Sequence, residues 1–232
     1  MFIEKIVHKF FNKPEFRLSS DIPTNYIIYT GLGYTLGLVR GIIKKTGFNT
    51  CGSNLIVGKH THFRVRNKIH VGSNVRIGKN VLVDALSTDG LFLGDNVKIG
   101  DNSKLMISGT LSDLGKGLRI GSNTSFSENT FFGSAGGIII GSDVIAGQNV
   151  RFHAENHKFD NSGVLIRLQG VSHKGIKLGS NIWIGSGVTI LDGSNIGDNC
   201  VIASGAVIQK EFPDNSIIGG VPAKVIRRLD EE

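Results

Sequence analysis

Three of the seven histidines, His153, His157 and His173, fall within one 22-residue stretch, HAENHKFDNSGVLIRLQGVSHK, running from His153 to Lys174. Imidazole titrates near neutral pH, so such a side chain can take a proton from a nucleophile and return it to a leaving group. Glu155 and Asp160 are near enough in sequence to orient such a ring. Residue type alone leaves the matter open, because a histidine in a polar loop also describes an ordinary solvated surface. No serine or cysteine stands beside His157 in a nucleophile motif, so any group transfer would be direct, without a covalent intermediate on the protein. The two cysteines, Cys51 and Cys200, have neither metal nor redox spacing.

The elements that must position this stretch are short and repeated. From Gly175 to Arg227 an aliphatic residue followed by a small one recurs every six positions: Leu178-Gly179, Ile184-Gly185, Ile190, Ile196-Gly197, Ile202-Ala203, Ile208. Neither a helix nor an alternating strand keeps that register, whereas hexapeptide repeats point to a parallel β-helix with three hexads per triangular coil. The aliphatic residues fill the prism, and Gly, Asn, Asp and Ser take the corners. Cys200 falls at an inward position, where a thiol packs as a small hydrophobe. The same register appears upstream at Val71-Gly72, Ile77-Gly78, Leu93-Gly94, Ile99-Gly100, Ile120-Gly121 and Ile140-Gly141. It slips at 84–90 and 108–118, which read as loops bulging from corners, and breaks for longer at 153–174. Long insertions in compact domains are commonly functional. Three regions follow: an N-terminal helical extension over 1–53, a β-helix over 54–210 with the extruded loop 153–174, and a tail over 211–232.

The chain has 232 residues, 32 glycines and four prolines, and a formal charge of +7. Plentiful aliphatics make the glycine a matter of tight corners rather than disorder. The basic residues form no stripe interleaved with aromatics, which argues against nucleic acid and for anionic small molecules or an anionic membrane surface. Residues 1–19 mix basic and aromatic side chains without the apolar core of a secretory signal. The run YIIYTGLGYTLGLV, Tyr26 to Val39, is apolar but shorter than the roughly 20 residues a spanning helix needs, and Arg40, Lys44 and Lys45 follow it. A helix over 22–45 is expected, either packed on the base of the solenoid or lying at a membrane interface. The expected location is the cytoplasm, extending to the inner face of the cytoplasmic membrane.

Four elements in order give the chain, from about Asn54 to Arg228, a resemblance to the hexapeptide-repeat acetyltransferases. They are Asn156-His157 ahead of the loop, Asn181-Ile182-Trp183-Ile184-Gly185-Ser186, Ala203-Ser204-Gly205-Ala206-Val207-Ile208-Gln209-Lys210, and Gly220-Val221-Pro222-Ala223-Lys224-Val225-Ile226. Within that family the chain looks most like the O-acetyltransferases of capsule, exopolysaccharide and lipopolysaccharide synthesis. The resemblance implies a left-handed parallel β-helix, acetyl-CoA as co-substrate with no metal, and a homotrimer with active sites between neighbours. It assigns His157 as general base and Ser186 as oxyanion donor. Trp183, Ser204, Gly205, Lys210, Pro222, Lys224 and Arg227 would hold coenzyme A, the last two reaching its phosphates. Asn156, Ser127 and Asn129 would face a carbohydrate acceptor, free, lipid-linked or nucleotide-bound.

The function so implied is acetyl transfer to a sugar hydroxyl in bacterial surface polysaccharide synthesis, with His157 of one chain facing Trp183 of the next. An amine on a nucleotide-linked sugar is the alternative acceptor. A zinc hydratase on the same scaffold would need a third histidine beside His153 and His157, and His60, His62 and His70 lie too far upstream. A non-catalytic scaffold would leave the histidine loop and basic tail without a role.

Overall fold

The computed structural model describes Glu4, His8 and residues 16–231, so most of the 1–19 stretch and the final Glu232 lie outside the described residues. Short parallel strands stack into three sheets, the faces of a triangular prism. The first face runs from Thr50–Cys51 to Glu211–Phe212 in 8 strands, and the third from His62–Arg64 to Val207–Ile208 in 7. The second runs from Ile56–Val57 through Ser216–Gly220 in 9 strands, the last being Ala223–Arg228. The ladder is thus longer than the 54–210 that hexad spacing delimits. Phe212 and Ile218 are inward and buried in a final coil that lacks the aliphatic-small signature, so the core extends where the pattern fades.

Strands of the second and third faces mostly turn one apolar residue inward, and those of the first face mostly two, such as Ile69 with Val71 and Leu91 with Leu93; the interior is continuous from Leu55 to Ala223. In the middle coils Phe126, Phe132 and Phe152 fill it. Phe132 and Phe152 stack with centroids 5.0 Å apart, and Phe126 meets both edge-on. Such ring pairs contribute beyond their buried area.

Corners are turned by residues in the left-handed region, which among the described non-glycine residues are asparagine with three exceptions, His60, Val65 and Asp143. Asparagine tolerates that conformation better than other side chains with a Cβ. Between the first and second faces their amides form a ladder: Asn54 donates to Asn74 at 2.9 Å, Asn74 to Asn96 at 3.3 Å, and Asn96 to Asn123 at 2.9 Å.

Two of the three corners never change length. All insertions leave the third corner, where the third face passes to the first: 85–90, 107–117 and 154–175. These loops stack on one another. Thr88 and Asp89 amides donate to the carbonyls of Gly115 and Lys116, each at 2.8 Å, and the Gly136 amide donates to Ala154 at 2.8 Å.

A helix, α1, spans Thr24–Lys44 and packs across the first coil. Arg40 Nε donates to the Val57 carbonyl at 2.7 Å, and Arg76 donates to the Tyr34 hydroxyl at 2.6 Å. This meets the packing expectation for 22–45, but the face that packs is the glycine one. Only Gly37 and Gly41 are buried. A methyl on Gly37 would sit 2.7 Å from the Ile56 side chain, and one on Gly41 would strike the Leu55 carbonyl. The helix backbone therefore lies directly on the sheet.

Candidate active site

The expected site residues separate onto two corners. Ser127, Asn129, Ser186, Ser204, Gly205 and Pro222 all lie along the corner between the second and third faces. Trp183 stands on the second face three residues before Ser186, 57% exposed, its strand between those of Ile145 and Val201. His157, Asn156 and Lys210 belong to the other corner, where the third face passes to the first.

The Ser186 corner has a feature that explains its shape. In four coils its left-handed residue is asparagine, Asn80, Asn102, Asn129 and Asn149. In the next two it is Gly187 and Gly205, each at φ 72°. Side chains disappear from the corner beside Trp183, leaving a ledge of backbone and two small hydroxyls, Ser186 and Ser204. Backbone exposed in this way can be approached closely by a thin ligand. Ser186 Oγ donates to Gln148 Oε1 at 3.1 Å, which fixes the hydroxyl on the ledge. Gly187 and Gln148 were not anticipated from sequence. The signal for Gly187 was present, since Ser186-Gly187 repeats as Ser204-Gly205 one coil later.

The tail pairs antiparallel with Ser216–Gly220 as the end strand of the second face. It satisfies the edge that the ladder would otherwise leave open. The Val221–Pro222 bond is cis, and Pro222 makes the turn between the paired strands. Lys224 lies opposite Gly219 and Arg227 opposite Ile217, both exposed. Arg228 is engaged by Asp230 at 3.0 Å.

On the other corner the long loop begins as a two-stranded hairpin, Asn156–His157 against Val171–Ser172, with His157 opposite Val171. His157 is exposed. Glu155 does not serve it: Glu155 Oε2 pairs with His173 Nε2 at 2.8 Å, while His173 Nδ1 lies 4.0 Å from Asp113. His173 thus ties both ends of the hairpin to the neighbouring 107–117 loop. Asp192, 6% exposed, fastens the point of re-entry by accepting the amides of Lys174 at 3.0 Å and Gly175 at 2.7 Å. Neither clamp was legible from spacing.

His153 precedes the loop on the third face, with its ring 5.3 Å from that of Phe131. Burial, and then the Arg151 charge, hold its imidazole below the ordinary histidine range, which suits a wall residue. Lys210 places Nζ 5.6 Å from the Phe212 ring centroid. Burial pushes the Cys200 thiol up, as expected for a packed cysteine. Beside the loop corner a shallow groove on the first face is lined by Phe92, Ile139 and the cations Lys116, Arg119, Lys174 and Lys177. Among the described residues no three His, Cys, Asp or Glu side chains gather as metal ligands would.

Residues 175–210 match the family model described as bacterial transferase hexapeptide (six repeats). The chain is 37% identical to the Saccharomyces cerevisiae protein YJL218W over 121 residues, covering 52% of this chain and 60% of that one. It is 33% identical to the Escherichia coli galactoside O-acetyltransferase over 121 residues, covering 50% and 57%. The chain thus spans less than two thirds of the length of these relatives. A solved structure of AntD, an N-acyltransferase from Bacillus cereus, superposes with a TM-score of 0.56 at 18% identity, covering 83% of this chain and 90% of that one. The fold is the left-handed parallel β-helix that the resemblance implied. Residues 175–210 thus carry the hexapeptide repeats of that model, and the chain is similar to acetyltransferases built on the same three-faced ladder.

Proposed function

We propose that the protein is an acetyl-CoA-dependent O-acetyltransferase acting on a carbohydrate hydroxyl, the acceptor class being a saccharide of bacterial surface polysaccharide synthesis. The observation that carries this reading is the ledge at Gly187 and Gly205 beside exposed Trp183. A pantetheine arm is long and thin, and it can lie against bare backbone with its apolar side on the indole. Lys224 and Arg227 are the cations available to the phosphates at the far end.

His157 is the base in this reading. Its imidazole takes the proton of the acceptor hydroxyl, whose oxygen attacks the acetyl carbonyl. The backbone N–H or hydroxyl of Ser186 stabilises the tetrahedral oxyanion. Collapse breaks the carbon–sulfur bond, and the imidazolium returns its proton to the departing thiolate. The loop corner and the ledge corner bound opposite edges of the third face, and in this reading the two halves come together between chains. A homotrimer with His157 of one chain facing Trp183 of the next satisfies that requirement.

The test is thiol release from acetyl-CoA with candidate glycans. His157→Ala is expected to lower turnover by a factor of about 10² to 10⁴ while coenzyme A binding persists. Full activity in that variant removes the mechanism. The likeness to the galactoside enzyme favours an ester product, which mild alkali cleaves; an alkali-stable product would assign the acceptor as an amine.

A further inference from the structure

Helix α1 is packed the wrong way round for a soluble helix. A surface helix ordinarily turns its aliphatic stripe inward and its polar stripe to water. Here the stripe through Thr30, Tyr34, Gly37 and Gly41 faces the solenoid. The opposite stripe, Ile28, Leu32, Leu36, Val39 and Ile43, is exposed by 50 to 64%. These residues fall on one side at 100° per residue, so the helix offers one continuous apolar face over its whole length. No acidic residue lies within the helix.

The charge around it is equally uneven. From Ile22 to Val83 there are nine Lys and Arg and no Asp or Glu. The rest of the chain therefore has more acidic than basic residues, and all of the net positive charge resides at this end. Lys44 and Lys45 stand at the C-terminal end of the helix itself.

We propose that this end of the molecule docks on an anionic lipid bilayer, with α1 lying flat in the interface and its aliphatic face turned into the lipid. An apolar stripe with basic residues beside it binds such surfaces through both buried area and charge. At 21 residues Thr24–Lys44 is long and apolar enough to cross a membrane, but its contacts with the first coil oppose spanning. Gly37 and Gly41 on the first coil, the Arg40 bond to the Val57 carbonyl and the Tyr34–Arg76 contact hold it along the protein from Tyr34 onward. This inference is independent of the acetyl-transfer reading.

The experiment is flotation of the full chain with vesicles of phosphatidylcholine, with and without phosphatidylglycerol. Binding is expected to the anionic vesicles, falling as salt rises. The double variant Leu32→Glu/Val39→Glu changes only exposed positions and is expected to keep its thermal unfolding profile while binding at least about tenfold more weakly. Lys44→Gln/Lys45→Gln is expected to weaken binding by roughly fivefold per charge. Failure of the native chain to float with anionic vesicles overturns the proposal. So does unchanged flotation of the glutamate variant. A glutamate variant that changes the oligomeric mass, with no vesicle binding by the native chain, would assign the face to a second copy instead. Resistance of the bound protein to alkaline extraction would mean a spanning helix and overturns the flat docking.

Discussion

At the scale of single residues, the histidines of the 153–174 stretch divide into three tasks. His157 projects from the hairpin and His173 is held between Glu155 and Asp113, while His153 is packed against Phe131. The third has a measurable consequence. Its imidazole titrates below the ordinary histidine value in the folded chain because burial disfavours the charged form. Above that value both folded and unfolded states are neutral here, and the group does not affect stability. As pH falls below it, the unfolded chain takes up the proton first, so stability is lost. His153→Gln is expected to lose less thermal stability than the native chain between about pH 7.5 and 5, read by melting at each pH. An identical loss in both proteins would mean that His153 is solvated like an ordinary surface histidine.

At the scale of elements, the sequence declares the inward residues and conceals the clamps. Ile184, Ile190, Ile196 and Ile202 announce the coil because each hexad repeats the same local rule. The final coil was not legible: Phe212, Ser216 and Ile218 obey the same packing without the same spelling. The direction of α1 was not legible either, since glycines at 37 and 41 and aliphatics at 32, 36 and 39 ordinarily mean the reverse orientation. Only the approach of Leu55 and Ile56 to the helix backbone reveals it. The roles of Asp192 and His173 depend on contacts between distant segments, which no local pattern encodes. Corner chemistry was legible, and it can be tested. Asn96 is left-handed at φ 58° and sits mid-ladder between Asn74 and Asn123. Asn96→Ala is expected to destabilise the fold by about 1–2 kcal/mol, since alanine resists that conformation. Asn96→Gly should cost less than Asn96→Ala, because glycine adopts the conformation freely. Denaturant midpoints of the two variants decide this, and equal losses would shift the credit from conformation to the amide ladder.

At the scale of the whole molecule, the two-corner arrangement makes a prediction that no single-chain enzyme shares. If the base comes from one chain and the ledge from its neighbour, His157→Ala and a Trp183→Ala/Lys224→Ala variant are each deficient alone. Mixed assemblies of the two contain interfaces with both halves intact. Co-expression, or unfolding and refolding together, is expected to restore part of the thiol release seen in the native protein. No recovery, in mixtures shown to contain hybrid assemblies, would place both halves of the site on one chain.

Because every change of length is confined to a single edge of the prism, that edge and the other two are free to diverge independently. The edge bearing 107–117 and 154–175 can be lengthened, shortened or replaced without altering one rung of the stack. The smooth edge that carries Ser186 and Ser204, four residues between strands in every coil, admits no such variation. A scaffold built this way can retarget one half of its chemistry while the other half is inherited unchanged.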